Sequence, residues 1–501
     1  MTQKNEHKKD LLKYPAIFLI VVLSYIAWRI CLDLKPYAAV KFLMAAGVLV
    51  CAIIAGVKLH KDKTEMGAES TVKLIIICGV IMRIGYMLLT PCNVRSNDLW
   101  EFSPDGYGHA GYVINIAVNG SLPDNNIRQY YQQPFYYIIS GAVSFVVNKL
   151  LNCSDMYYIA DAAKTVSCAA SCIMLLLSEK LCDMLGLGKK GKLAAVTLTA
   201  FIPNLFISCK VTPDALTALM LTLAFMYTLR WKDNPSWKNT ILLALIYGFG
   251  VMTKISVAVM ALFTLAVLLY RLFDGIVDKD GRLCLSLVKK YAVFGIISLP
   301  LGLWYTVRNY IRFQQPIGYV PVVGKDSPLY TGDHSLFQRF LFPDIKALFD
   351  SPYVNLLEDC NMFEYAVKSS CFGEFSYNAP PFIAILLEWA AVVIAVCVVA
   401  AVVGIIVHEA RANRNGRKHD VSMLLTITAC GLFCASLMLF YLRYPYTCSM
   451  DYRYMLFLAA PGAIVLARYC ELCRANWFRA AGKAALGVYA CASCIMFIWI
   501  L

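Results

Sequence analysis

NDLWEFSPDGYGHAGYVINIAVNGSLPDNNIRQYYQQPFYY, residues 97–137, decides how the rest of the chain is read. It is polar, aromatic and acidic, and it lies between long apolar segments. Ser103-Pro104 predicts the start of a short helix, because serine caps free amide groups and proline suits the first helical position. Gly120 supplies the stop. Asp105 and His109 are four residues apart and would share a face of that helix, continued by Tyr112 and Ile116. A carboxylate beside an imidazole could move a proton. The plainer reading makes Asp105 part of the cap and His109 a satisfied polar side chain. On this stretch alone the two readings stand level.

Outside this stretch the chain reads as membrane. Of its 501 residues, 59% are hydrophobic and only 16% charged, with a mean hydropathy of +0.61. A soluble protein of this size would expose far more charge. Apolar runs lie at 15–32, 37–57, 72–90, 159–183, 193–209, 213–230, 239–253, 255–272, 290–307, 381–407, 422–442, 453–469 and 482–501. Lengths of about 17–25 residues suit helices that cross a bilayer. The expected class is an all-α polytopic membrane protein with about 13 transmembrane helices. The formal charge of +14 does not point to nucleic acid, because most Lys and Arg fall in short loops beside apolar runs, where they set orientation. The basic N-terminus MTQKNEHKKDLLK leads into a full-length span, so no cleavable signal is expected. Most of the 20 cysteines sit inside apolar runs and behave as small hydrophobes. None forms a paired Cys-x-x-Cys zinc pattern. Cys360 and Cys371 share one polar loop and are the single pair considered for a bridge.

The run 134–151 decides which side each later loop faces. If the N-terminus is inside and 134–151 does not cross, the loops 1–14, 58–73, 184–192, 230–239, 271–290, 408–420 and 468–483 are inside, each rich in Lys and Arg. The short outer loops around Lys35, Lys210 and Arg443 carry about one basic residue apiece. The segment 134–151 is therefore expected to lie in or dip into the outer leaflet under cover of other helices. The C-terminus falls outside, and two long polar loops, 91–158 and 308–380, face out. Residues 1–71 read as a cytoplasmic tail and an added hairpin, 72–470 as the core membrane domain, and 471–501 as a last transmembrane helix.

Ionisable groups at the edges of spans call for an explanation. Asp214 opens a helix after Pro213, where an acid favours the helix dipole by about 0.3–1 kcal/mol; the sharper reading has it facing the same outer cavity as Asp105. Lys254 interrupts an apolar hairpin at its outer end, either snorkelling or binding an anion. Arg308 leaves a span beside Trp304 and Tyr305, and Arg453 enters one. Three cations at the outer edge run against the orientation rule, and an anion such as a lipid phosphate accounts for them together. No His-Glu-x-x-His, Gly-x-Ser-x-Gly, Walker A or Rossmann motif is present.

SPDGYGHAGYVINIAVNGSLPDNN and YQQPFYY resemble the first outer loop of GT-C glycosyltransferases, the group of protein O-mannosyltransferases and lipid A aminoarabinose transferases. The matching positions are Asp105, His109, the Gly120-Ser121-Leu122-Pro123 turn and the stretch Gln133-Pro134-Phe135-Tyr136-Tyr137. The likeness continues through IPNLFISCKVTPDAL with Asp214, MTKIS with Lys254, LWYTVRNY with Arg308 and DYRYMLFLAAP with Arg453, over roughly residues 70–465. Gly106 stands where many members have Glu, and Phe135 departs from the Pro-Leu element. The missing acid counts against a paired-carboxylate mechanism and against a divalent metal, and no other cofactor is implied.

The resemblance implies a GT-C-like bundle with juxtamembrane helices in the first large loop. It also implies transfer of a hexose or pentose from a polyprenyl-phosphate carrier to an acceptor hydroxyl, on the extracytoplasmic face of the plasma (inner) membrane. The phosphate leaves as a stable anion, so cations matter more than an acid, and inversion follows if no enzyme nucleophile is used. Asp105 is the expected base. His109 and Asp214 position acceptor or sugar, Lys254, Arg308 and Arg453 hold phosphate, and Tyr107, Gln132, Gln133 and Tyr136 contact acceptor or sugar. The loop 308–380, with Lys368 and Glu374, would cover the site. The partners implied are the donor, membrane lipids and a protein, lipid or glycan acceptor, without nucleic acid. A flippase for a lipid-linked glycan is the main rival, but matched halves with broken helices are not evident. A non-catalytic assembly subunit is the third reading.

Overall fold

The computed structural model describes residues 2–61, 65–201, 205–321, 323–341, 343–414, 420–473 and 475–500. Each apolar run is largely helical over its described residues. The helices before the first long loop are α1 (Thr2–Cys31), α2 (Tyr37–Lys61) and α3 (Glu65–Leu89). The loop itself carries α4 (Gly108–Asn119) and α5 (Phe135–Leu150), and then come α6 (Met156–Ala162), α7 (Lys164–Met184) and α8 (Lys189–Ala200). Next are α9 (Asp214–Asp233), α10 (Trp237–Thr253), α11 (Val259–Val277) and α12 (Gly281–Phe313). The second long loop holds α13 (Leu336–Phe340), α14 (Ile345–Asp350) and α15 (Met362–Phe372). The chain closes with α16 (Pro381–Arg414), α17 (Val421–Arg443), α18 (Ala459–Leu472) and α19 (Asn476–Ile500). No strand forms among the described residues beyond an isolated bridge between Tyr330 and Tyr446. Ten segments of the described residues are long and apolar enough to cross a membrane; the three other expected runs, 193–209, 213–230 and 239–253, fall on α8, α9 and α10, which are not among the ten. This is an integral, multi-pass, all-α protein.

Polar clusters gather at two ends of the bundle. At one end Glu471 accepts from the Gly188 amide at 2.9 Å and Arg468 donates to Asp420 at 2.7 Å, which joins the basic loops before α8, before α17 and after α18. At the other end lie the two long loops, the turn before α9 and the start of α18. That end is called the loop face below.

α5 is 16 residues long, or about 24 Å, which is short against a hydrocarbon core of about 30 Å. Its buried positions Tyr136, Tyr137, Ser140, Gly141, Ser144, Val147 and Asn148 follow helical spacing and form one face, packed chiefly against α4. Gly141 permits that approach, because a Cβ there would stand 2.6 Å from Ile116 Cγ2.

The α4 helix starts later than Ser103-Pro104 implies. Residues 103–106 form a turn, with the Gly106 amide donating to the Ser103 carbonyl at 3.1 Å, and the helix begins at Gly108. Its free amides are capped from elsewhere in the chain: His109 N donates to Asp98 O at 3.0 Å and Ala110 N to Leu99 O at 3.1 Å. Gly108 has φ +87°, and a Cβ there would sit 2.6 Å from Leu99 O, so only glycine fits. Asp105 is consequently outside the helix and shares no helical face with His109. Gly120 does terminate α4, at φ 64°.

Two buried cations fasten the bundle. Lys164 pairs with Asp161 at 2.8 Å and donates to Thr90 O at 2.8 Å, while Asp161 accepts from the Tyr25 hydroxyl and the Cys92 amide, both at 2.9 Å. Asp161 thus has three partners and Lys164 two, which ties α1 and the start of the first loop to the core. Arg83 is fully buried and donates to Ser171 Oγ at 2.9 Å, Gly79 O at 3.0 Å, Thr199 O at 3.0 Å and Ala200 O. It therefore satisfies the carbonyl end of α8 where that helix stops inside the bundle. Cys360 and Cys371 are both free thiols, and Cys371 Sγ faces the Leu387 carbonyl at 3.9 Å.

Candidate functional site

At the loop face a cavity of about 620 Å³ opens between α9, α11, α12, α17 and the two long loops. Its polar end is lined by Asp98, Gln132, Gln133, Asp214, Lys254 and Arg453. Its other wall is apolar, with Leu221, Val259, Phe433, Leu437, Phe440 and Phe457. Leu439, also on this wall, is 64% exposed, so the cavity reaches the bundle surface where lipid would lie.

Each polar group has a local cause for its position. Asp214 is the first residue of α9, and its Oδ1 receives Lys254 Nζ at 2.6 Å. Lys254 breaks the helical path between α10 and α11 with φ −159°, ψ 134°, which projects its side chain across to Asp214 and under the Tyr454 ring at 4.6 Å. Arg453 lies in the 3-10 segment that leads into α18; its Nε faces Asp451 Oδ2 at 3.4 Å and its guanidinium donates to Tyr454 Oη at 3.0 Å. Two cations, each with a carboxylate beside it, thus face one cavity.

Asp98 sits at the mouth and is water-accessible, in a left-handed backbone conformation at φ 51°. A chain of side chains secures its neighbour. Lys210 Nζ donates to Asn97 Oδ1 at 2.6 Å, Asn97 Nδ2 donates to Glu374 Oε2 at 2.7 Å, and Tyr365 Oη donates to Glu374 Oε1 at 2.9 Å. This ties the first loop, the turn before α9 and the second loop together one residue from Asp98. Desolvation pushes the Glu374 carboxyl above its ordinary range, with Asp451 adding to the rise, and desolvation also pulls the Lys210 amine down.

His109 is 4% exposed. Burial lowers its imidazole to about 4, against the opposing pull of Asp98 and Asp214, while Lys254 and Arg453 add to the lowering. Its Nδ1 meets Tyr137 Oη at 2.7 Å, and Tyr137 Oη donates to Gln132 Oε1 at 3.1 Å.

The expected residues do not all meet. Asp214, Lys254, Arg453, Gln132 and Gln133 line the cavity, and His109 stands behind it. Asp105 is exposed on the turn before α4 and is not part of the lining. Arg308 faces the first loop instead of the cavity: it donates to Pro123 O at 2.7 Å and stands 3.7 Å from Asp124, which also pairs with Arg312 at 2.8 Å. It pins the Gly-Ser-Leu-Pro turn to α12. Tyr107 lies in a surface patch with Trp100, ring centroids 6.4 Å apart, and the Arg128 guanidinium 5.6 Å away. Tyr136 is fully buried and meets Ser167 Oγ at 3.2 Å. Lys368 pairs with Asp359 and Glu364, both at 3.1 Å, inside the second loop. Among the described residues no three His, Cys, Asp or Glu side chains are grouped to hold a metal ion.

Asp98 and Arg443 are the charged lining residues to which the sequence reading gave no role in the site. Asp98 stood in the decisive stretch but outside any spacing pattern. Arg443 was counted only as a loop charge; it lines the rim with its guanidinium 5.6 Å from the Tyr444 ring.

Residues 161–310 match the family model described as Dolichyl-phosphate-mannose-protein mannosyltransferase. No curated protein matches the sequence. Solved structures of the Archaeoglobus fulgidus oligosaccharyltransferase are similar to this chain. The form tethered with an acceptor peptide containing the NVT sequon gives a TM-score of 0.47 at 12% identity, over 85% of this chain and 54% of that one. The form in complex with an inhibitory peptide and a dolichol-phosphate gives 0.45 at 11%, over 85% and 55%. The apo form gives 0.44 at 13%, over 86% and 54%. The chain thus spans about half the length of those structures. The family match runs from the end of α6 nearly to the end of α12 and includes Asp214, Lys254 and Arg308. Over residues 161–310 it bears out the recognition drawn from the motifs, that of a GT-C superfamily membrane glycosyltransferase.

Proposed function

We propose that this protein transfers a sugar from a polyprenyl-phosphate-linked donor to an acceptor hydroxyl, on the extracytoplasmic side of the plasma membrane and with inversion. The observation that carries the reading is the division of one cavity into a polar end with Lys254 and Arg453 and an apolar wall that reaches the bundle surface. A phosphate head with a prenyl tail has the same division. The basic loops at the opposite end favour a cytoplasmic position for that end, which puts the loop face outside.

In this scheme the acceptor oxygen attacks C1 of the sugar as the bond from C1 to the phosphate oxygen breaks. The electron pair leaves with the phosphate, where Lys254 and Arg453 take up the added charge. Asp214 holds Lys254 at 2.6 Å and so fixes the ammonium group before the donor arrives. The acceptor proton goes to a carboxylate, and Asp98 takes that role here instead of Asp105, because Asp98 lines the cavity and water reaches it. Attack from the face opposite the phosphate inverts the anomeric centre. No residue need bond to the sugar.

The test is transfer by the purified chain from short-chain polyprenyl-phosphate sugars, comparing Asp98→Asn with Asp105→Asn. A positioned base contributes about 10²–10⁴-fold, so Asp98→Asn should lose a factor in that range while Asp105→Asn stays within a few-fold of wild type. Normal transfer by folded Asp98→Asn would remove it as the base. Movement of the carrier across the bilayer without any transfer product would favour a flippase.

A further inference from the structure

Gln132 and Gln133 enter the cavity side by side, and the structure occupies one end of each amide. The backbone amide of Ile255 donates to Gln133 Oε1 at 3.2 Å. A backbone N–H can only donate, so this contact fixes the orientation of the Gln133 amide and turns its NH₂ group away from Ile255. Gln133 is thereby fastened to the corner that follows Lys254, and both side chains line the same cavity. For Gln132, Tyr137 Oη donates to Oε1 at 3.1 Å, and His109 Nδ1 meets the same hydroxyl at 2.7 Å. The phenol has one proton, so when it is given to Gln132 the His109 nitrogen must supply the other hydrogen bond. A neutral imidazole protonated on Nδ1 does this. Gln132 also lies beside the Tyr131 hydroxyl, and with two N–H groups it keeps at least one for the cavity.

We infer that Gln132 and Gln133 form a pair of N–H donors that binds phosphate oxygens of the lipid-linked donor, with Tyr137 and His109 as positioning residues that set the direction of the Gln132 amide. This rests on the polyprenyl-phosphate reading above and revises its detail, since the two glutamines were expected to hold acceptor or sugar. Each carbonyl oxygen is held by a donor inside the protein, which leaves the N–H groups as what the pair offers to the cavity. It suits a group that carries oxygens without hydrogens. Two amides beside Lys254 and Arg453 supply direction, and the cations supply charge.

The test uses the full chain in detergent and farnesyl phosphate as the probe, with farnesol as the matched compound lacking phosphate. Gln133→Glu and Gln132→Glu keep an oxygen for Ile255 and Tyr137 but replace the cavity-facing donor with a carboxylate oxygen. Each should weaken farnesyl phosphate binding about ten- to a hundredfold at neutral pH, without changing farnesol binding or thermal stability. As pH falls and the introduced carboxyl takes a proton, it regains a donor, so the deficit relative to wild type should shrink. Tyr137→Phe should weaken binding a few-fold alone and add nothing to Gln132→Ala, because it acts through Gln132. If wild type and both Glu variants bind the probe equally, the donor pair is wrong and the donor class stands. An equal loss at all pH values, or an additive Tyr137→Phe effect, also overturns the inference. If wild type fails to bind the probe, the donor reading falls and takes this inference with it.

Discussion

Replacing His109 with Asn should remove a defined part of the protein's sensitivity to acid. An unfolded histidine takes up a proton near 6.5, whereas burial holds the folded one at about 4. Between these values the unfolded chain binds more protons than the folded one, so stability falls as pH drops. The contribution is complete above 6.5 and is lost progressively toward 4. The gap, at about 1.36 kcal/mol for each pH unit, makes about 3 kcal/mol. Asn keeps an N–H to offer Tyr137 and cannot titrate. The assay is unfolding in denaturing detergent at a series of pH values from 7 to 4, read as the difference between wild type and His109→Asn. Other carboxylates titrate in both proteins and cancel in that difference. The variant will be less stable than wild type near neutrality and should lose about 3 kcal/mol less on acidification. Parallel losses across the window would refute the reasoning, because a histidine that titrates normally in the fold contributes no difference.

Other perturbations separate support of the fold from work in the cavity. Lys254→Met leaves Asp214 buried without its partner and should cost about 3–5 kcal/mol in the same unfolding assay, and adding Asp214→Leu should recover much of that. Arg83→Met removes the donors to Thr199 O and Ala200 O, at about 1–3 kcal/mol for each carbonyl left unpaired, with little effect on probe affinity in the protein that folds. Arg308→Ala should raise amide exchange across 120–125 and leave farnesyl phosphate affinity within a few-fold; a large loss of affinity would return Arg308 to the phosphate site.

The helices were legible because apolar runs of spanning length have few other uses, and the charge asymmetry of the short loops marked the two ends. Asp214, Lys254 and Arg453 were legible for a related reason, since a charge at the edge of a span must have a partner. The start of α4 was not legible. Its cap comes from the carbonyls of Asp98 and Leu99, and a backbone acceptor leaves no trace in residue type. That one displacement put Asp105 on a turn and Asp98 at the cavity. Arg308 and Arg453 look alike in sequence, each a cation beside aromatics at a span edge. What separates them is the Pro123 carbonyl and Asp124, which approach Arg308 only once the first loop has folded back on α12. The Lys210, Asn97 and Glu374 chain was out of reach for the same reason, as none of the three carries a local pattern.

That chain has a consequence for synthesis of the protein. Asn97 and Glu374 are 277 residues apart. At about 5–20 residues per second, roughly 15–55 s pass between their emergence from the ribosome. Throughout that interval the first loop is already made, while the clasp beside Asp98 lacks its second half. Arg443 and Arg453 emerge later still. A half-made chain in the membrane therefore has its carboxylates before most of its cations and before any closed pocket. On the polyprenyl-phosphate reading proposed above, the donor's site is complete only with the last third of the polypeptide.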